Sequence, residues 1–108
     1  MKVAIPSIGE DLSATVEQRF GRCTKFLLVD TETMEWKVVP NRARNQSGGA
    51  GIAAAQQIVN EGAEVVLAGD VGPKACDVLG NARIRVCRRV TGTVTDALAK
   101  LESGTLES

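Results

Sequence analysis

The chain has 108 residues, with 13 Lys and Arg against 13 Asp and Glu, no His, no Tyr, three Cys and 44% apolar residues. This suits one globular domain spanning 1–108, able to bury about two thirds of its extended surface. Zero net charge argues against a protein that coats duplex DNA, the missing His removes Ser-His-Asp triads and His metal sites, and aromatics at 3% leave no base-stacking platform.

In chain order, Lys2 to Ile8 reads as a first strand around the buried run Val3-Ala4-Ile5. Gly9 to Val16 is polar and turn-like. Lys25 to Asp30 is a strong second strand, apolar enough for burial on both faces. Thr31 to Met34 turns the chain, and Glu35 to Pro40 returns as a third strand in a hairpin. A loop rich in Asn, Arg, Ser and Gly follows to Gly49. The first helix is expected from Ala50 to Glu61, with Ile52, Ala55, Ile58 and Val59 inward and Gly62 as its stop. Glu64 to Gly69 is a buried fourth strand. Pro73 opens a second helix, where its missing N–H costs nothing, and Ala75, Val78, Leu79 and Ala82 mark its inner face. Arg83 to Cys87 is the fifth strand. Thr93 caps a third helix with Asp96 three residues on. Val94, Ala97, Leu98 and Leu101 form its apolar stripe, Gly104 ends it, and the last four residues are expected to fray.

The order β-β-β-α-β-α-β-α, with right-handed crossovers, predicts a mixed α/β sheet in the order 3-2-1-4-5 with strand two antiparallel. That is a ribonuclease-H-like arrangement. It brings four segments to one edge: 19–23, 45–51, 69–74 and 88–93. All three helix amino ends open there, each with unpaired N–H groups and a partial positive charge. Of the 13 basic residues, 8 fall at or near that edge (Arg19, Arg22, Lys25, Arg42, Arg44, Lys74, Arg88 and Arg89), against 5 of 13 acids (Glu10, Asp11, Glu17, Asp70 and Asp96). The neutral total therefore conceals an edge suited to an anion.

Several sharper motifs reduce to plainer readings. Gly49-Ala50-Gly51-Ile52-Ala53-Ala54 matches G-x-G-x-x-A, with Asp70 at a suitable distance, yet the Asn41-to-Ser47 loop separates it from any strand, so close helix packing is the better reading. A two-metal nuclease needs several carboxylates around its ions; the first strand has none, and only Asp70 lies where one is required. Cys23, Cys76 and Cys87 are odd in number and include no C-x-x-C, which fits a reducing cytoplasmic setting. Cys76 and Cys87 read as packing residues. For Cys23 two readings stand together: Arg22 and Lys25 favour a thiolate that binds soft metals, while a small buried Cys is equally ordinary. The amino-terminal segment reads as a strand rather than a signal peptide, and no run approaches a membrane span.

Four motifs occur in order: Phe20-Gly21-Arg22-Cys23 with Phe26-Leu27-Leu28-Val29-Asp30; Gly48 to Ala54; Val66-Leu67-Ala68-Gly69-Asp70-Val71-Gly72-Pro73; and Thr91-Gly92-Thr93-Val94. Together they resemble the dinitrogenase iron–molybdenum cofactor biosynthesis family, which includes NifX, NafY and the carboxyl-terminal domain of NifB. The resemblance spans nearly the whole chain. It implies a ribonuclease-H-like fold and non-enzymatic carriage of a molybdenum- or iron-containing sulfide cluster. The family commonly has His immediately before Phe-Gly-Arg; here Arg19 takes its place, a fixed cation instead of an imidazole ligand. The resemblance is then to its orange-protein members, with a Mo-Cu-S or Fe-Mo-S cluster held largely by electrostatics.

The residues expected to cradle that cargo are Arg19, Phe20, Gly21, Arg22, Cys23, Asn45, Gln46, Ser47, Gly48, Gly49, Ala50, Asp70, Gly72, Pro73 and Lys74, with Cys23 as the candidate metal ligand. The expected partners are a thiometallate or metallocluster and proteins of cluster assembly or delivery, with neither nucleic acid nor membrane. A cofactor-free regulatory or scaffolding module using the same basic edge is the alternative. An enzyme acting on a phosphorylated substrate is weakest, since no acid–base pair is visible.

Overall fold

The computed structural model describes residues 1–106. Its elements are β1 (Lys2–Ser7), β2 (Lys25–Asp30), β3 (Trp36–Pro40), α1 (Ala50–Asn60), β4 (Val65–Leu67), α2 (Pro73–Asn81), β5 (Arg85–Cys87) and α3 (Val94–Ser103). They form one sheet in the order β3-β2-β1-β4-β5. β2 is antiparallel to β1 and β3, whereas β4 runs parallel to β1 and β5. This is the mixed arrangement expected from the sequence.

The sheet separates two cores. Ala4, Phe26, Leu28 and Val66 face α1 and α2, together with Phe20, Ile58 and Leu79. Val3, Ile5, Leu27, Val29, Val65 and Leu67 face α3 through Val94, Ala97, Leu98 and Leu101. Alternation along β1 and β2 sorts residues between the two cores. Phe20 and Phe26 are both fully buried, and their rings meet at 5.2 Å. Burial of each such ring stabilises the fold by about 1.5–3 kcal/mol.

Two inward assignments are corrected. Ile52 is 40% exposed, and α1 buries Ala50, Ala54, Ala55, Gln57 and Ile58 instead. Small residues set this rotation: a Cβ at Gly51 would lie 3.6 Å from Ala75 Cβ, so α1 meets α2 along a narrow stripe and Ile52 turns outward. Ala82 is exposed because it caps α2, just before the chain turns left-handed at Arg83 (φ 62). The strands are also shorter than expected at some ends. Ile8 leaves β1 to bond the Thr15 carbonyl, and β4 stops at Leu67 before a loop that meets Gln18. At the carboxyl end, the fraying expected over four residues does not describe Leu106, which packs against the α3 core and accepts from Arg85 Nη2. Glu107 and Ser108 lie outside the described residues.

The feature that positions the site is a wedge. Parallel pairing of β1 with β4 covers Val3 and Ala4 only. Pro6 follows, with no N–H to offer a central ladder. From there the segment after the first loop enters between the strands. Val16 bridges Ser7, and Glu17 N–H donates to the Pro6 carbonyl. On the other flank, Asp70 N–H donates to the Gln18 carbonyl and Phe20 N–H to the Asp70 carbonyl. β1 and β4 are thus splayed at their carboxyl ends, where ligands commonly bind in α/β sheets.

Candidate functional site

The wedge brings Arg19 against Asp70 as a parallel bridge. Glycine is required on the far side of that contact: a Cβ at Gly69 would lie 2.8 Å from Gln18 Cα and closer still to its side chain. Past Phe20 the chain presses on the start of α1. A Cβ at Gly21 would stand 3.0 Å from both Gly51 Cα and Gly51 N, so these backbones touch. The 88–93 segment joins through Arg89 N–H to the Gly69 carbonyl (2.8 Å) and Gln18 Nε2 to the Val90 carbonyl (3.2 Å). The four expected segments therefore meet.

Within that edge the expected residues separate by role. Arg19, Asp70, Gly72, Pro73, Lys74 and the stretch Asn45 to Gly49 are exposed. Phe20 and Ala50 are buried, so they support the surface from below. Arg22 is also exposed, but its Nη1 donates to the carbonyls of Arg44 and Gln46, both at 2.8 Å. It fastens the loop before α1 and withdraws two carbonyl oxygens from the surface. Gln46 Nε2 closes that loop on the Gly48 carbonyl at 2.7 Å.

Of the two readings for Cys23, the structure favours the packed one. Its thiol is 1% exposed, sits in the core with Phe20 and Phe26, and donates to the Phe20 carbonyl at 3.3 Å. Burial pushes the thiol from its ordinary 9.0 up to about 12, against the hydrogen bond from Asn41, which lowers it. The neighbouring cations in sequence, Arg22 and Lys25, do not offset that desolvation. Cys23 is thus a packed thiol lying beneath the exposed surface of the edge.

Two residues absent from the expected set hold the arrangement together. Asn41 is buried and donates through Nδ2 to the carbonyls of Gly21 (3.1 Å) and Cys23 (3.0 Å), while its Oδ1 accepts from Ala43 N–H. Gln57, on the buried side of α1, donates to the Pro40 carbonyl and accepts from Arg42 N–H. An amide at the centre of an apolar helical stripe was the available signal for Gln57. Beside it a concavity of about 390 Å³ is lined by Arg42, Gln46, Gln56, Gln57, Asn60 and Glu61, among others. Only Gln46 is shared with the expected site.

The helix amino ends also differ. α1 begins after Gly49 (φ 71) and α2 after Gly72, each with no side-chain cap and no acid in its first turn. α3 carries a complete capping box: Thr93 Oγ1 accepts from Asp96 N–H, and Asp96 Oδ2 accepts from Thr93 N–H. The expectation that all three ends offer free N–H groups therefore narrows to two. Arg19, Arg44, Lys74, Arg88 and Arg89 enter no ion pair with a described carboxylate; the ion pair among the described residues is Lys37 with Glu61, on the flank of α1. An exposed surface with bare helix starts and unneutralised cations attracts anions. It offers no cage for a bare metal ion, because among the described residues no three His, Cys, Asp or Glu side chains converge.

Comparison with known proteins agrees in fold and sequence. The profile of the family described as dinitrogenase iron–molybdenum cofactor matches residues 1–104. The apo orange protein of Desulfovibrio gigas superposes with a TM-score of 0.95 at 38% identity, covering 98% of this chain and 90% of that one. A NifB-type protein from Thermotoga superposes with a TM-score of 0.83 at 37% identity, covering 99% and 91%. An uncharacterised protein of Methanocaldococcus jannaschii is 34% identical over 110 residues, covering 99% of this chain and 90% of that protein.

Proposed function

This chain belongs to the dinitrogenase iron–molybdenum cofactor family, and from that premise we propose that it binds and carries a molybdenum-containing sulfide cluster as cargo, without catalysing a reaction on it. The cargo is Mo-Cu-S or Fe-Mo-S, anionic and capped by sulfide. The family description, an iron–molybdenum cofactor, supports molybdenum in the cargo, and the copper-containing alternative follows from the resemblance to orange-protein members. The observation that carries the reading is the coincidence of two uncapped helix starts, α1 and α2, with Arg19 and Lys74, which no described carboxylate neutralises.

Sulfide on the outside of a cluster accepts hydrogen bonds and bears the negative charge. Backbone N–H groups at residues 50–52 and 74–75 meet it with fixed dipoles, since Pro73 has no N–H and that of Cys76 is already bonded to the Gly72 carbonyl, and arginine adds mobile positive charge. No side chain has to displace a sulfide, so the cluster can be received and released whole by a partner protein of cluster assembly. Cys23 is outside this scheme because its side chain is enclosed in the core.

The test is a titration of metal-free protein with tetrathiomolybdate, with and without copper(I). The account expects a charge-transfer absorption that stays with the protein through desalting. Arg19→Glu weakens retention strongly and Cys76→Ser hardly at all. Absence of any retained chromophore, or a dominant effect of Cys76→Ser, contradicts it.

A further inference from the structure

Among the described residues three other than glycine hold left-handed backbone: Met34 (φ 61), Arg83 (φ 62) and Arg89 (φ 63). That conformation suits glycine and strains a long side chain. Two of the three are arginines, and they flank the same short strand. Arg83 precedes β5 at the end of α2, where its N–H closes on the Gly80 carbonyl at 2.9 Å. A left-handed residue is the ordinary way to leave a helix, so its backbone is explained by the turn.

Arg89 follows β5 at the opposite end, on the loop edge. Its N–H donates to the Gly69 carbonyl and the next N–H, of Val90, to the Ala68 carbonyl at 3.0 Å. No helix ends there. The two bonds fix Arg89 beside the loop that opens α2, one residue from Asp70 and its bridge with Arg19. Arg89 is exposed and enters no ion pair with a described carboxylate. Across 19–23, 69–74 and 88–93 the charged residues are Arg19, Arg22, Lys74, Arg88 and Arg89 against Asp70 alone.

We propose that Arg89 is a further cargo-binding residue: a cation held on the β5 side of the wedge that completes the field begun by Arg19 and the α1 and α2 amino ends. The ligand class it recognises is a multiply charged anionic thiometallate. The inference rests on the carrier reading above and extends its surface across β4 to the β5 loop.

The two arginines provide a matched test, since Arg89→Gly and Arg83→Gly remove the same charge and relieve the same backbone conformation at opposite ends of β5. Affinity for tetrathiomolybdate is measured at low salt for wild type, both glycine variants and Arg89→Lys, with thermal melting to confirm folding. A dianion about 8 Å from one cation in a watery setting predicts about three- to tenfold weaker binding for Arg89→Gly. Arg83→Gly should bind as wild type and Arg89→Lys should restore most of the loss. The Arg89→Gly deficit should shrink markedly in about 0.5 M salt, where the screening length falls well below that distance. Equal weakening by the two glycine variants, or an Arg89→Gly affinity equal to wild type, overturns the inference and leaves the carrier reading standing. Failure of wild-type protein to bind overturns the carrier reading itself and this inference with it.

Discussion

The two faces of the sheet begin their helices in opposite ways. On one face α3 starts from Thr93, with its end groups answered by its own residues and Asp96 in the first turn. On the other, α1 and α2 start from Gly49 and Gly72 with nothing from a side chain and no acid in the first turn. The α3 end is finished as a structural element. The α1 and α2 ends keep donors in reserve beside arginines that pair with no described carboxylate, so on the proposed carrier reading the sheet separates a supporting face from a receiving one.

Exchanging features between the faces tests this division. The largest effect is expected below the receiving face. Asn41→Ala leaves the Gly21 and Cys23 carbonyls without their buried donor and should cost about 2 kcal/mol in chemical denaturation. Thiometallate affinity should fall with it, because the 19–23 segment loses its anchor. Next comes an exchange of caps. Gly72 has extended backbone (φ −62, ψ 159) and open space where a Cβ would go. Gly72→Asp should give α2 the kind of start that α3 has, raise stability by a few tenths of a kcal/mol, and weaken binding about tenfold by occupying the N–H groups. A rise in affinity would break the comparison.

Thr93→Ala is the complementary change. Loss of the capping box should cost about 1 kcal/mol in denaturation and leave thiometallate affinity unchanged. The smallest effect concerns Cys23. Its folded value is raised, so its contribution to stability is fully present below the unfolded value near 9.0 and is lost as pH rises toward about 12. Denaturation between those limits should show stability falling with pH, and Cys23→Ala should remove that part of the slope. At neutral pH, alkylation should modify the half-exposed Cys76 well before the buried Cys23.

The strands and helices were legible because their signals are local: the apolar run Phe26 to Val29, Pro73 at a helix start, and the Thr93–Asp96 pair. The gathering of the loop edge followed from topology. What stayed hidden depends on partners far along the chain. Gly9 to Val16 reads as a polar loop, yet its end and the two residues that follow form the wedge between β1 and β4, and Gly69 is the complementary sign of that contact. For Cys23 the activated and the packed readings stood level, because charge is visible in sequence and enclosure beside Phe20 is not. Arg22 looked like a ligand contact and proves to be a clamp on the Arg44 and Gln46 carbonyls. Asn41 gave no local hint of its buried role, since its partners Gly21 and Cys23 lie about twenty residues away.

The central claim is that the cargo meets the amino ends of α1 and α2 and bypasses that of α3. Backbone amide spectra recorded during a tetrathiomolybdate titration address it directly. Progressive shifts are expected at residues 50–52 and 74–75, with 94–96 unmoved and the Cys23 side chain unchanged. Shifts centred on the start of α3, or a Cys23 signal that moves with the chromophore, would contradict it.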